Sequence, residues 1–161
     1  MLIRPATPAD VPSIRALEQQ TETAAHWAER EYGALFAADA PPRLALVAIA
    51  EEESDRVIGF AIAGHVTSDW EIENVVVAPE KRRQGVGIKI IRKMLLKAQT
   101  AGATSVLLEV RESNLPARRL YEKLGFSQQG RRGNYYKNPE EDALLLSFFV
   151  TNLRQFNLEA E

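Results

Sequence analysis

Residues 78–99 read APEKRRQGVGIKIIRKMLLKAQ, and this stretch decides the fold. Three cations, Lys81, Arg82 and Arg83, run into Gly85-Val86-Gly87, and a helical pattern starts at once. Val86, Ile90, Ile91, Met94, Leu95 and Ala98 recur at helical spacing, so the segment presents one apolar face. Gly102 then stands where a helix C′ residue is expected. Upstream, WEIENVVVA reads as a strand stopped by Pro79, which makes the glycine pair a strand-to-helix turn. Such a turn can be only a turn. It can also seat an anion, because a helix N-terminus carries unpaired N–H groups and partial positive charge.

Two nucleotide patterns fail here. A Walker A loop needs Gly-Lys-Ser/Thr, but Gly87 is followed by Ile88-Lys89. A dinucleotide fingerprint needs a third small residue three after Gly87, and Ile90 stands there. The stretch Arg82-Arg83-Gln84-Gly85-Val86-Gly87 does fit an R/Q-x-x-G-x-G/A pyrophosphate loop. Glycine lets backbone approach phosphate closely, and the arginines add charge and donors.

The rest of the chain is consistent with one α/β domain. LIRPA is a short first strand. TPADVPSIRALEQQ starts a helix, with Thr7 as cap, Pro8 at its first position and Asp10 three after the cap. AAHWAEREYGALFAA is a second helical candidate. RLALVAIAE and RVIGFAIAGHV form a hairpin about an acidic turn. TSVLLEVRE is a strand, SNLPARRLYEKLGF a capped helix stopped by Gly125, and FSQQGRRGNYY and DALLLSFFV are the last two strands. The order is β-α-α-β-β-β-α-β-α-β-β, which predicts a mixed, mostly antiparallel sheet in a domain over residues 1–151, with 152–161 as a loosely held tail.

Composition narrows the function. The 161 residues are 45% hydrophobic and 26% charged, with net charge −2, so no global polycation points to nucleic acid. The absence of cysteine excludes disulfides, thiolate metal sites and a cysteine nucleophile. His26 and His65 lack partners at ligand spacing, so no metal is expected. No apolar run is long enough to span a bilayer and the first residues lack a signal-peptide core, so the expected location is the cytoplasm, without membrane attachment.

Four landmarks, IENVVVAPEKRRQGVG, LLEVRESNLPARRLYEKLGF, RRGNYY and EDALLL, occur in that order between Trp70 and Phe148. With them the chain resembles the GNAT superfamily of acetyl-CoA-dependent N-acetyltransferases, and within it the bacterial ribosomal-protein alanine N-acetyltransferases. The resemblance implies a sheet splayed between its fourth and fifth strands. It implies that backbone of Val75, Val76 and Val77 binds the cofactor arm, with an N–H of Val76 or Val77 facing the developing oxyanion. The phosphate loop falls on Arg82, Arg83, Gln84, Gly85, Val86, Gly87 and Ile88, and Asn114 matches a cofactor contact or a plain N-cap. Glu109 matches the general base, the alternative being a surface Glu paired with Arg111. Tyr121 matches the proton donor, the alternative being core packing. Trp27, Tyr135 and Tyr136 flank the acceptor groove or pack an edge.

The reaction implied is direct transfer from acetyl-CoA to a primary amine in a ternary complex, with a protein N-terminus, such as that of a ribosomal protein, as acceptor. A small amine or amino acid is the alternative acceptor, and a non-catalytic acyl-CoA-binding domain the alternative class. Monomer and homodimer are both compatible with the sequence. A phenol near pKa 10 is a weaker acid than a thiol near 8.5, so full proton transfer from Tyr121 to a thiolate is uphill by about 2 kcal/mol. Tyr121 is therefore expected to act first as a hydrogen-bond donor.

Overall fold

The computed structural model describes residues 1–154. Most of the tail expected at 152–161 lies outside the described residues. The strands are β1 (Leu2–Pro5), β2 (Arg43–Ala50), β3 (Arg56–Val66), β4 (Asp69–Val77), β5 (Ser105–Arg111), β6 (Ser127–Tyr136) and β7 (Glu141–Phe149). The helices are α1 (Val11–Gln19), α2 (Glu29–Ala34), α3 (Val86–Thr100) and α4 (Leu115–Lys123). The sheet order is β1-β2-β3-β4-β5-β7-β6. Chain order and sheet class are those expected: β4–β5 is parallel, while β1–β2, β2–β3, β5–β7 and β6–β7 are antiparallel. The parallel ladder pairs Trp70–Ile72 with Val106–Leu108 and ends after these three pairs.

The chain forms two compact units. The first comprises Met1–His65 and Glu73–Met94. Its core is built from Ile14 and Leu17 of α1, Tyr32 of α2, Val47 and Ile49 of β2, Phe60 and Ile62 of β3 and Val76 of β4. Alternation along β4 buries Ile72, Asn74 and Val76 and leaves Val75 and Val77 half-buried, as a strand's period of two requires. Every residue of the apolar stripe read on α3 is buried.

The start of α1 differs in detail from the expected cap. Pro8–Asp10 form a 3₁₀ turn, and Asp10 Oδ2 accepts from the Thr7 N–H at 2.7 Å and the Thr7 hydroxyl at 3.1 Å. The same carboxylate receives both terminal nitrogens of Arg4, at 2.8 and 2.9 Å. The Arg4 hydrogen bond is the main cause holding the Asp10 pKa below its ordinary value.

The second helix is much shorter than residues 24–38. It spans six residues, Glu29–Ala34, because His26 adopts φ of 52° and breaks any helix through it. Ala28 then starts a new one, its N–H donating to Glu31 at 2.6 Å. Tyr32 is fully buried, whereas Trp27 and Leu35 pack on the core only in part.

Among the described residues, the second unit comprises Val66–Ile72 and the chain from Leu95 to Arg154. Its core includes Val106, Leu108 and Val110 of β5, Tyr121 and Leu124, Phe126, and Leu144, Leu146 and Phe148 of β7. Asn114 caps α4, its side-chain oxygen accepting from the Ala117 N–H at 3.3 Å, and Pro116 occupies the first turn. The helix closes with the Phe126 N–H on the Tyr121 carbonyl at 3.0 Å and the Gly125 N–H on Glu122 at 2.9 Å. Phe126 then packs edge-on against Tyr121, with centroids 5.5 Å apart.

Candidate active site

In the first unit the candidate groups surround the turn that opens α3. The first helical bond there is donated by the Lys89 N–H to the Gly85 carbonyl at 3.1 Å. Helix geometry therefore leaves the N–H groups of Val86, Gly87 and Ile88 without intrahelical acceptors. Gly85 has φ of +81°, and nothing lies within 4 Å of where a Cβ would stand. A left-handed residue with open space beside it, at the positive end of a 15-residue helix, suits a phosphate group. The flanking side chains hold the turn in shape. Arg82 Nε donates to the Val77 carbonyl at 3.1 Å, and Gln84 donates to the Glu80 carbonyl at 2.9 Å. Arg83 is exposed, with φ of 57°. Lys81 is engaged by Glu53.

Further along the same unit, a buried polar cluster fixes the segment between α1 and α2. Glu18, 3% exposed, accepts from the Tyr32 hydroxyl and from Asn74 Nδ2 at 2.7 Å. Asn74 Oδ1 in turn accepts from the Ala25 N–H at 3.4 Å. Burial, then the hydrogen bond to Glu18, push the Tyr32 pKa far above its ordinary value. Two residues past Ala25 stands Trp27, whose ring lies 5.6 Å from that of Tyr32 and 5.2 Å from the Arg43 guanidinium. Sequence reading found Trp27 and missed Glu18 and Asn74. A lone Glu on a helix and a lone Asn in a strand carry no signal until the fold joins them.

In the second unit Glu109 lies on β5, with its side chain 18% exposed. It is not paired with Arg111, as the alternative reading supposed. Arg111 is held by the carbonyls of Lys137 and Pro139, each at 3.3 Å, and by Glu141 at 3.6 Å. It stacks on Tyr136, 4.2 Å from the ring centroid. The ion-pair partner of Glu109 is Arg132 on β6, at 3.1 Å. The register explains this choice. Arg111 and Arg132 both stand opposite Ala143, one on each side of β7, while Glu109 stands opposite Leu145 two residues along. Arg132 reaches Glu109 diagonally across a strand whose intervening residue is only alanine. Register is fixed by tertiary structure, so no local pattern points to Arg132.

The structure brings Tyr135 and Tyr136 to the same carboxylate. Tyr135 is 47% exposed, and its interaction with Glu109 is the main cause raising its pKa. Burial, then the charge of Glu109, push Tyr136 up to about 12. The two rings meet edge to face at 5.1 Å. Tyr121 is buried, and desolvation raises its pKa, with Tyr136 contributing next. Thus Tyr135 and Tyr136 gather beside Glu109, while Tyr121 packs on Phe126 as a buried phenol that stays protonated.

Among the described residues there is no group of three or more His, Cys, Asp or Glu that could hold a metal ion, and no helix is long and apolar enough to cross a membrane.

Residues 11–126 match the family model described as the acetyltransferase (GNAT) family. The [ribosomal protein bS18]-alanine N-acetyltransferase of Salmonella typhimurium is 32% identical over 144 residues, 88% of this chain and 93% of that protein. The protein of the same name from Escherichia coli K12 is 30% identical over the same shares. The crystal structure of the Escherichia coli ribosomal-protein-S18-alanine N-acetyltransferase superposes with a TM-score of 0.76 at 27% identity, covering 92% of this chain and 93% of that one. Arabidopsis thaliana NAA60 in complex with acetyl-CoA shares the fold, with a TM-score of 0.82 at 18% identity over 93% of this chain and 98% of that one.

Proposed function

The chain belongs to the acetyltransferase (GNAT) family, and from that premise we propose that it transfers acetyl from acetyl-CoA to the N-terminal α-amine of a protein. A ribosomal protein is the acceptor its relatives favour: similarity to bS18-alanine N-acetyltransferases runs through 88% of the chain. The observation that carries the chemistry is the Glu109 carboxylate, held at the end of β5 among Tyr135, Tyr136 and Arg132.

Residues suited to acetyl-CoA are present. The open left-handed Gly85 and the free N–H groups of Val86, Gly87 and Ile88 fit a pyrophosphate, with Arg82, Arg83 and Gln84 beside them as further contacts and with Arg82 and Gln84 also holding the turn. Backbone of Val75, Val76 and Val77 is assigned to the pantetheine arm, and Asn114 makes a further contact besides its capping role. When bound, the cofactor supplies an acetyl group activated as a thioester. Glu109 takes the proton that the acceptor's ammonium must lose before it is nucleophilic. Tyr121 donates a hydrogen bond toward the departing sulfur. Its raised pKa makes outright proton transfer more costly than for a free phenol, which favours hydrogen bonding as its contribution. Trp27, Tyr135 and Tyr136 contact the acceptor. With no cysteine to carry an acyl group, transfer is direct, within a ternary complex. The same reading takes residues 1–151 as one catalytic domain acting in the cytoplasm, where ribosomal proteins are made.

The test is a panel of alanine-led peptides with free N-termini set against polyamines, aminoglycosides and free amino acids. CoA release is followed, and the product peptide is sequenced by mass spectrometry. Acetylation at the α-amine of peptides is expected. Turnover confined to small amines would overturn the proposed acceptor, and absence of acceptor-dependent CoA release would overturn the enzyme reading.

A further inference from the structure

The Glu109 carboxylate already has two partners in the free enzyme. Arg132 lies 3.1 Å from Oε1, and the Tyr135 phenol interacts with the same group. The two ends of the ion pair are unequal. The Glu109 side chain is 18% exposed and that of Arg132 is 57% exposed, so the anion is fixed in the protein while the cation lies largely in water. The Arg132 guanidinium also rests 5.6 Å from the Tyr135 ring centroid. A cation over a phenol, against a recessed carboxylate, is the arrangement that recognises an ammonium group.

The backbone around Arg132 is built to be irregular. Arg132 pairs with Ala143 and Tyr136 with Glu141, so four steps on β6 are matched by two on β7. The excess is taken up at Gly133, Asn134 and Tyr135. Asn134 adopts φ of 51°, and its N–H is secured by Asp142 Oδ1 at 2.9 Å. Bulges of this kind re-aim side chains beside functional sites. Arg131, by contrast, is locked by Glu112 at 2.7 Å and Asp142 at 2.8 Å. The hairpin is therefore held through Arg131, Asn134 and Asp142, and its grip does not depend on Arg132.

We propose that Arg132 is a displaceable stand-in for the acceptor's ammonium: Glu109, Tyr135 and Tyr136 form a subsite for a primary ammonium, which the Arg132 side chain fills in the free enzyme and vacates when the acceptor enters. The inference rests on the assignment of Glu109 as the group that receives the acceptor. It makes Arg132 a specificity-determining residue. An exchange of one cation for another leaves the recessed carboxylate paired throughout, whereas a neutral or N-blocked terminus cannot replace the guanidinium.

An exposed ion pair is displaced at little cost. Pairs of this kind are worth roughly 0.2–1 kcal/mol, so Arg132 should weaken acceptor binding by a factor of about 1.5–5. The experiment is calorimetric titration of an alanine-led peptide, and of its N-acetylated form, into enzyme saturated with CoA, where no transfer can occur. Arg132→Met keeps the aliphatic stem and removes the charge. It should tighten the free-amine peptide by about 1.5–5-fold at low salt, with the gain shrinking toward none near 1 M salt. Arg132→Lys restores a competing cation and should return affinity to within about 1.5-fold of wild type. In a Glu109→Gln background, adding Arg132→Met should change nothing. Unchanged or weaker binding by Arg132→Met, an equal gain for the N-acetylated peptide, or no measurable peptide binding by any variant overturns the proposal. The base assignment fails separately: Glu109→Gln would keep its kcat, whatever the titrations show.

Discussion

Gly85→Asp isolates the anion seat at the head of α3. Two costs can be worked from the geometry. The φ of +81° forces a left-handed conformation on any side chain, worth about 1–2 kcal/mol, while the empty 4 Å around the Cβ position adds no clash. A carboxylate at a helix N-terminus returns roughly 0.3–1 kcal/mol. The net loss of stability is about 1 kcal/mol, or roughly 2–4 °C in Tm for a chain of this size. Phosphate binding responds on another scale. A unit charge about 4 Å from a phosphate charge, at an effective dielectric constant near 20, costs about 4 kcal/mol, which is roughly a thousandfold in Kd. Gly85→Ala carries the same backbone strain without the charge and should lose less than about tenfold. Calorimetric titration with CoA, beside thermal unfolding of each variant, separates the two terms. A folded Gly85→Asp protein that binds CoA within about threefold of wild type would refute the pyrophosphate assignment and leave the stretch a simple turn.

Tyr121→Phe removes one hydrogen-bond donor and keeps the ring that packs on Phe126, so kcat should fall about 10²-fold while the Kd of CoA moves less than about twofold. Steady-state kinetics with calorimetry checks this, and an unchanged kcat would sink the donor assignment. Asp10 has a folded pKa below its unfolded value, chiefly because Arg4 donates to it. Its stabilisation is therefore fully present above about pH 4 and is lost as pH falls through the lower folded value. Relative to Asp10→Asn, the wild-type protein should melt about 2–4 °C higher at pH 6, and the gap should close below pH 4; a constant gap from pH 6 to pH 2 would contradict the linkage.

The parts of the fold legible in the sequence were those set by local chemistry. The α3 stripe, the glycine turn before it, the Asn114 cap and the close of α4 on Phe126 all follow from residues within a few positions of one another. Residues 24–38 misled because alanine-rich composition favours helix, whereas the chain bends at His26 so that Tyr32 can enter the core. Candidate site residues could be proposed where family motifs are contiguous, at Glu109, Tyr121 and the Gly85 loop. They were illegible where residues meet only through register. Arg111 looked like the partner of Glu109 because the two alternate on one strand. Arg132 takes that place from two strands away, over the small side chain of Ala143.

The buried Glu18 has a consequence for varying the segment between α1 and α2. Its carboxylate binds Tyr32 and Asn74, and Asn74 reaches the Ala25 backbone, so residues separated by as many as 56 positions are riveted at one point. The rivet uses side chains at 18, 32 and 74, but only a main-chain N–H inside the connecting segment. The identities of the exposed residues Glu22, Thr23 and Ala25 are thus uncoupled from the contact that anchors them, whereas Ala24 and Trp27 also pack on the core. A library restricted to those three positions would vary the surface of the loop on a fixed frame, without disturbing the core beneath it.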